Sequence, residues 1–269
     1  MNNAIQLGPL LLPFTLLLVF ASAGVTLGLG KYLGKRQGDD IETALWHTVM
    51  AGILVARLAF VYEYRSLYFD SPLSILDIRD GGWNPTAGFI GGWVFSFYLQ
   101  RRRPESAKSL RWAMLSGTVL FVLGMAALSL QPRSSQRMPP LELSSLRGEM
   151  VSLSAFEGKP TVVNLWATWC PPCAREMPVL ERAQQGHANV TFLFVNQGED
   201  RTKVGGWLES RGLTLRNVLI DERRLASTAF KQKGYPATLF FNAQGHLVST
   251  RIGELSAATL QDKLSDIAP

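Results

Sequence analysis

The 269-residue chain is poor in the side chains that build covalent or metal frameworks, with only two cysteines and three histidines. Cys170 and Cys173 stand two residues apart. No other cysteine is present to make structural cross-links, so the pair reads as catalytic. A zinc site needs four ligands, and His47, His187 and His246 show no ligand spacing among themselves or with the cysteines. Charge is sparse as well, at 18% of residues. The formal net charge of +6 is not laid out as a nucleic-acid surface. Lys31, Lys35 and Arg36 form one basic cluster, and Arg101, Arg102, Arg103, Lys108 and Arg111 form another. Both lie in short connections between apolar runs, where they read as topology determinants facing the cytoplasm and anionic lipid. Nucleic acid is set aside as a partner on that ground. The opening residues 1–8 carry no basic side chain and the apolar region after them is long, which argues against a cleavable signal peptide.

Composition splits the chain at about residue 130. Before it, four apolar stretches run through residues 9–30, 43–62, 87–99 and 112–130. The first, second and fourth approach the roughly 20 residues that a hydrocarbon core of about 30 Å requires. The third is short and glycine-rich, a tilted or re-entrant element. If all four cross, the N-terminus lies outside and both basic loops lie inside. The loop 63–80, with Glu63, Asp70, Asp77 and Asp80 against Arg65 and Arg79, then lies outside, as does everything after Leu130. This arrangement predicts a multi-pass protein of a bacterial-type inner membrane with its cysteine pair in the oxidising periplasm. A re-entrant third element would instead put the two basic loops on opposite sides.

Within this half, Val55-Ala56-Arg57-Leu58, then Pro72 and Ile75, then Gly81-Gly82-Trp83-Asn84-Pro85-Thr86-Ala87-Gly88-Phe89-Ile90-Gly91-Gly92 form a local pattern that, with the opening Gly8-Pro9-Leu10, resembles the prolipoprotein diacylglyceryl transferase family. The resemblance covers about the first 100 residues. It departs from that family where lipid transfer would occur: Thr86 stands at the position of the functional histidine, Thr15 at that of a tyrosine, and the later Arg/Asn/Glu-bearing segments are missing. Threonine cannot take a proton from a thiol near neutral pH. The resemblance therefore implies a degenerate relative kept as anchor or docking scaffold. Arg57 in an apolar run is expensive. It reads as pairing with Glu63 or a lipid phosphate near the interface, with a catalytic role as the other reading. His47, beside Trp46, reads as a packed interfacial residue rather than a ligand.

Residues 131–140 combine proline, serine and arginine in a semi-extended tether. Beyond it, residues 141–156 alternate like short strands with a turn at Arg147-Gly148. Residues 161–166 and 190–195 are compact apolar runs typical of buried strands. Helices are expected over 171–185, 202–211, 223–230 and 256–267. Further strands are expected over 218–220, 237–242 and 247–252, the last two divided by Ala243-Gln244-Gly245. Strands alternating with helices and closing in a hairpin give an α/β domain, a mixed central sheet flanked by helices. The expected fold is a multi-pass helical membrane domain over 1–130 joined to this domain over 141–269.

A dithiol that exchanges electrons needs two cysteines within bridging distance, one exposed at a helix start and one covered. The segment Cys170-Pro171-Pro172-Cys173 suits this at a strand-to-helix turn. Helix N-terminal amides stabilise negative charge, which lowers the pKa of Cys170 and marks it as the attacking nucleophile. Cys173, one turn further, resolves the mixed disulfide. Pro171 and Pro172 suit the first turn, where their missing amides would lack partners in any case.

The stretch Asn164-Leu165-Trp166-Ala167-Thr168-Trp169-Cys170-Pro171-Pro172-Cys173-Ala174-Arg175-Glu176-Met177-Pro178, together with Gly234-Tyr235-Pro236-Ala237-Thr238-Leu239-Phe240, resembles the TlpA/ResA branch of the thioredoxin superfamily. That resemblance implies a cis Pro236 facing the dithiol, an exposed Tyr235 backbone edge for a substrate strand, and Trp169 as a packing platform. Trp169, Pro171, Pro172 and Tyr235 are the expected substrate-binding residues; Cys170, Cys173, Pro236 and Glu176 are the expected catalytic ones. Glu176 reads in two ways, as a desolvated carboxyl that accepts a proton from Cys173 or as a solvated first-turn glutamate. Asn164 occupies the place of the buried aspartate of ordinary thioredoxins. No cofactor is expected beyond the redox-active disulfide.

The resulting expectation is a membrane-anchored reductase of client disulfides such as those of apocytochromes, metallochaperones or damaged secreted proteins. It is fed by a separate membrane or thioredoxin-like donor, because the membrane half has no cysteine to relay electrons. An oxidase or isomerase using the same dithiol, and a lipid-modifying transferase with an accessory redox domain, are the alternatives.

Overall fold

The computed structural model describes residues 4–7, 10–37, 41–69, 72–77, 80–130 and 136–268. Gly8, Pro9, Asp70, Arg79 and residues 131–135 of the expected tether over 131–140 lie outside the described residues, as does the side chain of Thr15. The tether reading needs correction beyond them: Arg137 bridges His246, the Met138 amide donates to the Gly245 carbonyl at 2.9 Å and Met138 is buried, so residues 136–138 belong to the domain. The chain divides into two units, residues 1–75 with 82–133, and residues 134–269 with the segment 76–81.

In the first unit, β1 (Ala4–Leu7) and β2 (Leu10–Pro13) pair antiparallel. Four long helices follow, α1 (Phe14–Gln37), α2 (Glu42–Glu63), α4 (Pro85–Arg102) and α5 (Ala107–Ser129), with the single turn α3 (Arg65–Tyr68) after α2. The expected membrane segment from residue 9 is thus a helix only from Phe14. Its start follows Pro13, and it runs past Gly30 because Lys35 and Arg36 suit a helix C-terminus. The third element is longer than its apolar core. Asn84 caps it, accepting from the Ala87 amide at 3.0 Å, Pro85 opens the first turn, and Arg101 and Arg102 close the last. Its 18 residues reach about 27 Å at 1.5 Å per residue. Among the described residues, three helices, Leu17–Arg36, Glu42–Glu63 and Pro104–Leu128, are long and apolar enough to cross a membrane.

Helix α1 packs along α5, and α2 along α4. Small residues let the second pair approach: a Cβ on Gly88 would lie 2.9 Å from the Gly52 carbonyl oxygen and 2.7 Å from the Ala56 Cβ. Large apolar side chains such as Phe20, Leu54, Val94 and Leu123 point outward from these helices. His47 is exposed beside Trp46 on α2. Arg57 is buried, and the expected pairing with Glu63 is not formed. Its guanidinium donates to the backbone carbonyls of Ile75 (3.0 and 2.9 Å), Gly82 (2.7 Å) and Ser74 (3.3 Å), whereas Glu63 accepts from Asn84. Carbonyls of the loop offer a fixed fork-shaped set of acceptors, which a planar guanidinium matches.

The second unit holds a seven-stranded sheet in the order β4-β3-β7-β6-β5-β8-β9. Its strands are β3 (Glu142–Ser145), β4 (Met150–Ser152), β5 (Thr161–Trp166), β6 (Thr191–Gln197), β7 (Val218–Asp221), β8 (Ala237–Phe241) and β9 (Leu247–Ile252). The β5, β6 and β7 strands are parallel, with Thr161 opposite Thr191 and Phe194 opposite Val218; the remaining neighbours are antiparallel. The helices are α6 (Pro171–Gly186), α7 (Arg201–Ser210), α8 (Leu225–Ala229) and α9 (Ala257–Ser265).

Two-residue alternation sorts the buried strand positions onto two faces. Val162, Trp166, Phe192, Phe194, Val218 and Phe240 share one apolar core with Met177 and Leu180 of α6 and Leu260 and Leu264 of α9. Val163, Leu165, Leu193, Val195, Leu219 and Leu239 share the other with Ala226 and Phe230. Each fully buried large side chain contributes roughly 1.5–3 kcal/mol. Met177 and Leu180 together thereby offset the ~3 kcal/mol that Pro178 costs inside α6. Asn164 falls on the face of β5 that carries α6, and this parity brings it to the site.

Candidate active site

Strand β5 ends at Trp166, and the chain turns through Ala167-Thr168-Trp169 into α6. The turn is closed by the Cys170 amide donating to the Ala167 carbonyl at 3.3 Å. Cys170 is the N-cap of α6, and its Sγ accepts the Cys173 amide at 3.3 Å. Pro171 and Pro172 fill the first turn as expected. The two cysteines form a disulfide with an S–S length of 2.06 Å and Cα atoms 5.3 Å apart. The expectation of an exposed first cysteine needs correction. Cys170 is 3% exposed, because its sulfur is drawn back toward the helix by the bond to Cys173 and by that amide. The surface at this point is Trp169, 57% exposed, with Pro171.

Across the turn, the Tyr235-Pro236 peptide bond is cis, as the sequence resemblance implies. The Tyr235 ring stands edge-on to Trp169 with centroids 6.0 Å apart, which places the segment next to the cysteines. The Pro236 carbonyl accepts from the Gly253 amide at 2.9 Å.

Glu176 is 1% exposed, so the solvated reading of this glutamate is set aside. Its Oε1 accepts from the Asn164 amide at 2.8 Å and its Oε2 from the Leu255 backbone amide at 3.0 Å. Burial pushes its carboxyl up to about 8; the bonds from Asn164 and Leu255 work against burial, Glu254 adds to it, and Arg251 opposes it. Asn164 also donates to Thr238 Oγ1 at 3.0 Å, where Asn164 and Thr238 are register partners on β5 and β8. Where ordinary thioredoxins carry an acid on the strand, here the acid sits on the helix and the strand supplies its donor. Arg251, opposite Thr238 on β9, has its own pKa lowered by burial.

The segment after β6 was not singled out by the sequence. Gly198, with a φ of +80°, turns the chain so that Gln197 and Glu199 serve different neighbours. Glu199 accepts from the Thr168 backbone amide (2.7 Å), the Thr168 hydroxyl (2.5 Å), the Asn196 amide (2.9 Å) and Lys203 (2.7 Å). Burial alone would raise its pKa, but the bonds from Lys203, Thr168 and Asn196 outweigh it and hold the carboxyl at about 2. An ionised carboxylate thus pins the residue two before Cys170. The signal available in the sequence was a polar pair, Asn196-Gln197, closing an otherwise apolar strand just before a glycine.

Comparison with known proteins fits this geometry. The family model described as Redoxin matches residues 133–265, and that described as Prolipoprotein diacylglyceryl transferase matches residues 3–128. The chain is 31% identical over 136 residues to the thiol-disulfide oxidoreductase ResA of Geobacillus kaustophilus, covering 49% of this chain and 76% of that protein. It is 29% identical to the thioredoxin-like protein YneN of Bacillus subtilis, over 49% of this chain and 79% of that one. It is likewise 29% identical to the thiol:disulfide interchange protein DsbE of Vibrio cholerae, over 48% and 71% respectively. A dithiol motif at a helix N-cap, a cis-proline beside it and this level of identity lead to one conclusion: the chain belongs to the ResA-like thiol-disulfide oxidoreductases, a thioredoxin-like domain carried on a membrane region.

Proposed function

We propose that the protein reduces disulfides of a limited set of client proteins on the extracytoplasmic side of the membrane. The observation that carries this reading is the pairing of an N-cap Cys170 with a buried acid one turn beyond Cys173. A strong oxidant needs its reduced, thiolate form strongly stabilised. A carboxyl buried one turn beyond Cys173 and uncharged up to about pH 8 marks desolvated surroundings that bring no positive charge to the thiolate, which withholds that stabilisation and favours electron donation.

In the proposed cycle the Cys170 thiolate attacks one sulfur of a client disulfide. The client S–S bond breaks, a Cys170–client disulfide forms and the first client thiolate leaves. Glu176, with an acidity near that of a thiol, takes the proton of Cys173 when it is in its ionised form, and the Cys173 thiolate then attacks Cys170 Sγ. The second client thiolate departs, the client takes up the Cys173 proton released by Glu176 and a second proton from solvent, and the Cys170–Cys173 disulfide remains. Two electrons must then be returned by a separate dithiol donor, of the membrane or thioredoxin-like. Tyr235 precedes β8 and Pro236 already bonds to Gly253, so the backbone of Tyr235 is the edge for strand-like pairing with a client. The names of the ResA and DsbE relatives, a thiol-disulfide oxidoreductase and a thiol:disulfide interchange protein, support thiol-disulfide exchange with protein clients.

Parity supports this side of the membrane. With α4 counted as a crossing, the basic residues at the ends of α1 and α4 and the start of α5 share the cytoplasmic side, and the chain leaves α5 on the opposite one. Reporter fusions after residue 130 should be active only if they report an extracytoplasmic tail. A Cys173→Ser variant of the full chain should accumulate mixed disulfides through Cys170, and a reduction potential near or below about −250 mV is expected. A potential near −120 mV would reverse the assigned direction, and a cytosolic tail would end the topological part of the proposal.

A further inference from the structure

The Tyr235 hydroxyl ends a chain of buried polar side chains. Asp221, 2% exposed at the end of β7, accepts the Leu225 and Ala226 amides at 2.8 Å each, and its Oδ2 accepts the Gln197 side-chain amide at 3.0 Å. Gln197 Oε1 accepts the Ser227 hydroxyl at 2.6 Å, and the Ser227 and Tyr235 oxygens lie 2.8 Å apart. Gln197 and Ser227 are both buried.

The order of donors in this chain is forced. The Val195 carbonyl, 3.4 Å from the same side-chain nitrogen, only accepts, so the NH2 of Gln197 faces it and Asp221, and the Gln197 oxygen faces Ser227. Ser227 has one proton and gives it to Gln197. The phenol therefore donates to Ser227, and Tyr235 has one satisfied orientation. Such a fully satisfied buried network holds its terminal side chain rigidly. The ring it holds stands edge-on to the exposed Trp169, forming an aromatic corner beside Cys170.

We propose that Gln197 and Ser227 are positioning residues that fix the Tyr235 ring as one wall of the client groove, and that this wall selects clients with an apolar or aromatic residue beside the cysteine that bonds to Cys170. Rigid aromatic faces gain from apolar partners without further loss of rotamer freedom. The inference rests on the oxidoreductase reading and narrows its substrate class.

The test uses the full-length protein in detergent, kept reduced by a dithiol donor whose direct rate is subtracted, and three substrates: two disulfide-bonded peptides identical except for phenylalanine or glycine beside the cysteine, and the small disulfide dithiobis(nitrobenzoate). Wild-type protein should prefer the phenylalanine peptide through KM. Ser227→Ala, which removes the phenol's acceptor together with the proton given to Gln197, should raise KM for that peptide roughly 3- to 10-fold, as expected for loss of one positioning hydrogen bond. It should leave kcat, small-disulfide turnover and reduction potential unchanged. Gln197→Leu should act in the same direction, and Ser227→Ala should add nothing in a Tyr235→Phe background. Equal losses on all three substrates, or an unchanged peptide preference, would overturn the proposal as mere structural support or no role. Failure of the wild type on every substrate would sink the oxidoreductase reading itself, and the wall with it.

Discussion

The side-chain amide of Asn164 donates to Oε1 of Glu176 at 2.8 Å, joining the middle of β5 to α6 three residues after Cys173. A buried acid with one side-chain donor and one backbone donor is held in place without being matched by a full countercharge, so its protonation is tied to folding. In the oxidised protein the cysteines do not titrate, which isolates this group. Below about pH 4.5 the carboxyl is protonated in both the folded and unfolded states. Between there and about 8 the folded state keeps a proton that the unfolded chain has released, so stability must fall as pH rises. A shift of this size is worth roughly 3–5 kcal/mol in total. Amide hydrogen exchange of the β5 and β8 core in oxidised full-length protein should show that decline. Glu176→Gln should flatten it and be the more stable protein above pH 8. Parallel pH profiles for the two proteins would mean that the carboxyl is not held protonated.

Asn164→Asp tests the same relationship from the strand. It places a second carboxyl within hydrogen-bond distance of Glu176, and two acids that close cannot both ionise. They should share a proton and titrate as a pair. We expect a loss on the order of 2–5 kcal/mol at pH 8 and little at pH 4.5. The same exchange measurement at the two pH values decides it, and a pH-independent loss would point to packing alone.

Much of the redox domain was legible because its signals are local. Residues 161–166 form an unbroken apolar run with one asparagine, and they are β5; a Gly-containing turn separates β8 from β9, and β9 falls on the expected residues. The cysteine spacing and the tandem prolines likewise define the start of α6. What resisted reading was long-range and polar. Nothing near Glu176 in the chain says whether it is solvated, since Asn164 and Leu255 reach it from other elements. Gln197 and Glu199 look like an ordinary strand end until Ser227 and Thr168 arrive from opposite sides in sequence. In the membrane half, apolar length alone understated α4, whose ends are set by Asn84 and by arginines rather than by hydropathy.

Arg57 offers a prediction about that half. Its guanidinium serves three backbone carbonyls, with the rings of Tyr68 and Trp83 at 5.7 and 5.8 Å from its Cζ. Hydrogen bonds from a charged donor contribute about 1.5–3 kcal/mol each. Arg57→Gln should therefore cost several such bonds, and Arg57→Lys should not rescue it, because an ammonium cannot reproduce the planar fork. Thermal unfolding in detergent should drop by a similar amount for both variants while small-disulfide turnover persists below the transition. Full rescue by lysine would return Arg57 to a simple charge role.

The close pairing of α2 with α4 yields a contrast within one residue type. A leucine at Gly88 must displace backbone and the Ala56 methyl, and neither is the free end of a flexible side chain. Overpacking of this kind costs typically 1–3 kcal/mol, and more where backbones must part. Gly28 on α1 has open space around the position of a new Cβ and is exposed. Gly28→Leu should be neutral or gain up to about 1 kcal/mol from helix propensity. If packing of small residues holds α2 against α4, Gly88→Leu will lower the detergent unfolding temperature and Gly88→Ala will do so less, while Gly28→Leu will not. Equal tolerance at the two glycines would show that the helices are held together by their loops instead.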